Sequence, residues 1–138
     1  MFAANWMRYF DNEAELSYFL QSSKYKKYAE QGKEAIYVND LASVIKICHQ
    51  YSGYFVIGIS DNNPDRAKNY AKFVNIFGKI KKICSIVAEL FLIKPQDGYY
   101  ELSHIDGNLC DDRASNLCYR LRSERCRDSW IKRNCQEE

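Results

Sequence analysis

At 138 residues, 46% hydrophobic and 28% charged, the chain is too apolar to be disordered and long enough for one moderate domain or two small modules. No run approaches the roughly 18 apolar residues of a membrane span, and residues 1–10 lack a charged-then-apolar leader pattern. A soluble, cytoplasmic protein with no membrane partner is therefore expected, and the formal net charge of +2 conceals a basic cluster near the C-terminus.

Residues 1–10 are rich in apolar and aromatic side chains (Phe2, Trp6, Met7, Tyr9, Phe10), suited to pack on the body of the domain or to meet a partner. Asp11-Asn12 offers an N-cap to a helix of about ten residues with Leu16, Phe19 and Leu20 on one face. A second helical segment is expected near Ser23. It carries Lys24, Lys26 and Lys27 among Tyr25 and Tyr28, with the tyrosines facing the core, and Gly32 ends it. Residues 35–38 read as a strand. Asn39 or Asp40 then caps a third helix whose Leu41, Val44, Ile45 and Cys48 have the three-and-four spacing of a buried face, with His49 at its end. Residues 54–59 form a β-prone strand, and residues 61–65 a loop. Strand, helix, strand over residues 34–60 amounts to a small α/β unit.

A hairpin is expected over residues 72–83, turning at Gly78-Lys79 and presenting Lys79, Lys81 and Lys82 as a basic strand face. Residues 99–102 read as a strand with His104 at its end. Asp106-Gly107-Asn108 supplies a turn, Leu117-Cys118-Tyr119 a second strand, and Ser123 the N-cap of a helix to about Asn134. The 6 cysteines, at 48, 84, 110, 118, 126 and 135, include no pair at zinc-knuckle spacing and are expected to be reduced, mostly buried thiols. Between Arg113 and Arg133 seven basic residues (Arg113, Arg120, Arg122, Arg125, Arg127, Lys132, Arg133) stand against Glu124 and Asp128, a balance suited to a nucleic-acid backbone.

The run His104-Ile105-Asp106-Gly107-Asn108, followed by Asp111-Asp112-Arg113 and Asn116-Leu117, resembles the HNH nuclease family in its phage homing-endonuclease branch. Upstream, Ile86-Val87-Ala88-Glu89-Leu90-Phe91 is similar to the helix that precedes the motif in that branch, so the resemblance spans roughly residues 72–134. It implies an α+β fold: a C-terminal ββα-metal (HNH-like) module over residues 71–138, preceded by a small mixed α/β module over residues 1–70 of unassigned role. His104 is implied as the general base, and Asn116 as the residue that holds the loop. A divalent ion, magnesium or manganese, is implied as the cofactor of an active enzyme.

The same resemblance places metal ligands just before the histidine and on the following helix, where this chain has Ser103 and Arg125. A hydroxyl is a poor ligand for a hard cation and a guanidinium is none. Asp106, Glu124 and Asp128 are the carboxylates left to hold a metal. Relatives also carry His-Arg ahead of the upstream helix, where Cys84-Ser85 stands here. Three functions follow as expectations. The first is an HNH-like nucleic-acid-binding protein of phage or mobile-element origin, with DNA as partner and cleavage weakened or lost. The second is an active homing-type DNA endonuclease. The third is a dead scaffold that binds a protein partner and inhibits a host system.

Overall fold

The computed structural model describes residues 6–60 and 71–121. The expected loop at 61–65 and the expected helix at 123–134 lie outside the described residues. So do Arg122, Glu124, Arg125, Arg127, Asp128, Lys132 and Arg133.

The N-terminal half builds one antiparallel sheet. Strand β1 (Trp6–Phe10) leads into helix α1 (Glu13–Ser22), and strands β2 (Lys26–Gln31), β3 (Glu34–Val38), β4 (Val44–Gln50) and β5 (Gly53–Ser60) follow. Spatial order is β1-β5-β4-β3-β2, a meander closed by β1 on its far side. Helix α1 starts as its sequence predicts: the Asn12 carboxamide accepts from Glu15 N–H at 2.8 Å, and Glu13 and Glu15 place negative charge at the positive end of the helix. Trp6 lies directly across from Gly58, where a Cβ would stand 2.5 Å from the indole Nε1. The glycine thus makes room for the ring that closes the sheet edge.

Two helices expected from the sequence are strands. Residues 26–31 pair with β3 through a turn at Gly32, whose φ of +61° suits glycine. Residues 44–50 pair with both β3 and β5, so residues 34–60 are all strand and not an α/β unit. Asn39 caps no helix. Its Oδ1 accepts from Leu41 N–H at 3.1 Å and Ser43 N–H at 2.9 Å, closing a turn in which Ala42 has positive φ.

Both faces of this sheet are covered. Ile45, Ile47 and Val56 pack with Phe10 and with Leu16 of α1 on one side. Ile36, Val38, Ala42 and Val44 pack on the other against elements from the C-terminal half. Those elements are the hairpin β6 (Phe73–Ile76) and β7 (Lys79–Lys82), helix α2 (Ile83–Phe91), and the hairpin β8 (Tyr100–His104) and β9 (Leu117–Leu121). Helix α2 contributes Ile83, Ile86 and Val87, the three-and-four spacing of a buried stripe. Its C-terminal end is held from the sheet: Lys26 Nζ donates to Leu90 O at 3.0 Å and sits 4.7 Å from the Phe91 ring centroid. One apolar cluster therefore draws on both halves of the chain.

The β6–β7 hairpin is as expected, but its turn is Phe77-Gly78, both at positive φ, rather than Gly78-Lys79. Side chains alternate along β7, so Lys79 and Lys81 share one face and Lys82 shares the other with Ile80. The expected single basic strand face is split between two faces. Among the described residues no helix is long and apolar enough to cross a membrane.

Candidate active site: a buried imidazole–carboxylate pair and a thiol beside a cleft

Residues 100–104 are strand, with His104 at the end as the sequence predicts, and His104 pairs across the ladder with Leu117. The connection between β8 and β9 is long, and side chains hold its shape. Asn116, at the end of a 3-10 turn (Ala114–Asn116), is its hub. The Asn116 Nδ2 donates to Asp106 Oδ1 at 2.9 Å and to Asp111 O at 2.9 Å, while its Oδ1 accepts from Asp106 N–H at 3.3 Å. Both amide donors and the carbonyl are thus used. Asp106 Oδ1 also accepts from Asn108 N–H at 2.9 Å, and Asn108 Oδ1 from Cys110 N–H at 3.0 Å, around a Gly107 at positive φ. These bonds to the charged form, Asn108 N–H first and Asn116 second, hold the Asp106 carboxyl below its ordinary range.

Arg113 grips the Asp111 carboxylate with two parallel bonds, Nε at 2.8 Å and Nη2 at 2.7 Å. Ala114 N–H donates to Asp40 O at 2.8 Å, tying the loop to the main sheet. The next residue in the Asp111-Asp112-Arg113 run points inward. Asp112 Oδ1 lies 2.7 Å from His104 Nε2, with side chains only 1% and 8% exposed. Burial pushes the Asp112 carboxyl above its ordinary range, and the histidine and then Lys72 oppose that rise. With Asp112 ionised, Nε2–H donates to it and Nδ1 is the basic nitrogen, so the pair fixes one tautomer of the imidazole.

Cys84 opens helix α2 and approaches this pair. One ligand atom each from Cys84, His104 and Asp112 lie within 4.8 Å of one another. Burial, and then the Asp112 charge, push the Cys84 thiol above its ordinary range. A cleft of about 670 Å³ opens here, lined by Cys84, Ser103, His104 and Asp106, with Lys82 and Arg120 also on its walls. Two basic side chains thus line the same cleft as the histidine.

The residues singled out from the sequence divide accordingly. His104, Asp106, Lys82 and Arg120 meet at the cleft; Asn116 and Arg113 shape the loop behind it; Lys79 and Lys81 do not line it. Asp112 and Cys84 are the residues that sequence reasoning left without a role. Asp112 stood inside the quoted motif, and Cys84 stood where the family that the sequence resembles carries histidine, a signal that a polar side chain suits that position. Among the described residues the donor set does not fit magnesium, which takes near-octahedral oxygen ligands. Around His104 stand a thiol, an imidazole and a carboxylate, with a hydroxyl at Ser103.

No protein-family model and no curated protein matches the sequence. A solved structure does match, that of "DNA binding and cleavage by the HNH homing endonuclease I-HmuI", with a TM-score of 0.51 at 16% identity. The fold is HNH-like. The match covers 82% of this chain and 61% of that one, so the chain spans about three fifths of the endonuclease chain it resembles. At that identity the likeness speaks for the fold alone, and the five-stranded antiparallel sheet with two helices is consistent with it.

Proposed function

We propose that the protein is an HNH-like nucleic-acid-binding protein of the phage homing-endonuclease branch, with DNA as its partner and metal-dependent cleavage weakened or lost. The observation that carries this reading is the His104–Asp112 pair beside Ser103. His104, the general base that the family resemblance implies, has its Nε2 occupied by a buried carboxylate. The neighbouring position, which needs a hard-cation ligand, offers a hydroxyl. In the same proposal residues 71–138 form the nucleic-acid module.

Binding to a phosphate backbone is supported by Lys82 and Arg120 at the cleft. It is supported too by the basic sequence that continues beyond Leu121, Arg122 to Arg133, and by the exposed Lys79 and Lys81 of the hairpin. One observation favours the second reading, an active endonuclease: an imidazole fixed in one tautomer by a carboxylate is also how a working general base is oriented. In that case Asp106, Glu124 or Asp128 would have to supply the magnesium or manganese ligand.

The test is fluorescence anisotropy with labelled duplex DNA over a salt series. Affinity should fall steeply with added salt, and joint charge reversal at Arg122 and Arg127 should weaken it. No affinity for duplex or structured nucleic acid at low salt would contradict the proposal and assign the basic residues to a protein partner.

A further inference from the structure

We infer that Cys84, His104 and Asp112 form a three-ligand site for a thiophilic divalent cation of the zinc class, in place of the oxygen-ligated magnesium or manganese expected of the fold. The three residues come from separate elements: the first turn of α2, the last residue of β8 and the loop ahead of the 3-10 turn. They are far apart in sequence and only the fold brings them together. Their donor atoms nonetheless lie within 4.8 Å of one another, with Cys84 and Asp112 buried.

Geometry and donor type agree on the ion. Ligands at about 2.0–2.3 Å around a tetrahedral zinc stand roughly 3.3–3.6 Å apart. Closing the cluster on an ion therefore takes shifts of about an ångström: His104 and Asp112 open slightly from their 2.7 Å contact as Cys84 moves in. Sulfur, nitrogen and carboxylate oxygen together suit zinc or cobalt and are wrong for magnesium or calcium. Cys84 and His104 also line the cleft, leaving a fourth position open toward solvent. Three protein ligands with one open position is a common zinc arrangement.

A hydrolytic relay of the same three residue types is the rival assignment. It needs thiol and carboxylate on opposite nitrogens of the imidazole. Here one ligand atom from each of the three residues lies within 4.8 Å of the others, a cluster that a shared ion can close on, and the metal titration separates the two assignments. A bound ion would clamp α2 to the β8–β9 hairpin and hold His104 as a ligand, withdrawing it from service as a base.

The experiment is titration of the chelator-stripped, reduced full chain with cobalt(II), followed by zinc(II) competition, with no nucleic acid present. Failure therefore bears on this site and not on DNA binding. The expected result is one cobalt per chain with a thiolate-to-cobalt charge-transfer band, displaced by zinc. The band should be lost in Cys84→Ser with an unchanged far-UV circular dichroism spectrum, and retained in Cys118→Ser. His104→Gln and Asp112→Asn should each weaken binding by more than the roughly 10-fold that loss of even an outer partner costs. Absence of the band in the wild type, its persistence in Cys84→Ser, or unchanged affinity in His104→Gln would each overturn the site. Should Cys84→Ser fail to fold, the His104→Gln affinity decides.

Discussion

His104 Nε2 and Asp112 Oδ1 stand 2.7 Å apart in a pocket that leaves the carboxylate side chain 1% exposed. The candidate base is therefore not a lone histidine at a strand end. It is one half of a buried pair, placed by a loop whose own hydrogen bonds converge on Asn116.

That pair makes stability depend on pH in a particular sense. Because the folded Asp112 carboxyl titrates above its unfolded counterpart, the folded state binds the proton more tightly. Its contribution is complete below the ordinary carboxylate pKa and is lost as pH rises through the raised value. Asp112→Asn should remove this component, giving a flatter stability profile across that window. Urea midpoints measured from pH 3 to 8 on both chelator-stripped proteins check it.

Asn116 should matter for folding whatever its part in chemistry. Asn116→Ala deprives the buried Asp111 carbonyl of its Asn116 donor, at a cost of about 1–3 kcal/mol, while the N–H of the exposed Asp106 can turn to water. Equilibrium urea denaturation measures this directly, and loss under 1 kcal/mol would mean that the loop repacks with water.

Helix α2 is the bridge between the two halves. Ile86 is fully buried in the cluster shared by the sheet and the C-terminal hairpins, so Ile86→Ala should cost about 2–5 kcal/mol. The shared core also predicts one cooperative transition for the whole chain. Calorimetry should give a single peak, shifted down in the variant, whereas two separable peaks would indicate independent modules.

The legible parts of the fold are those with local chemical signatures. Asn12 as N-cap and His104 at the end of its strand read directly from residue types and spacing, while helix α2 was legible through the family resemblance. The strand β4 did not. Val44 and Ile45 are both fully buried because the sheet is covered on both faces, and a pairing irregularity between them further disturbs the alternation. Two-sided burial gives continuous apolar runs that mimic a helical face. Strand β2 misled for a related reason: Tyr25 and Tyr28 are both partly buried as expected, but against opposite faces of the sheet, so their spacing fits a helix by coincidence. Within the site, the motif located His104 and Asn116, while the Asp112 and Cys84 contacts depend on how α2 meets the hairpin, which no local pattern encodes.

Catalysis distinguishes the readings most sharply. A general base alone accelerates a reaction by roughly 10²- to 10⁴-fold, far short of what phosphodiester cleavage needs. The measurement is plasmid nicking in magnesium and then manganese by wild type, His104→Ala and the double variant Ser103→Asp/Arg125→Asn. The expected result is weak or absent nicking by wild type, little changed in His104→Ala, with any gain confined to the double variant. Robust wild-type nicking that His104→Ala abolishes would contradict the loss of cleavage and establish an active HNH nuclease.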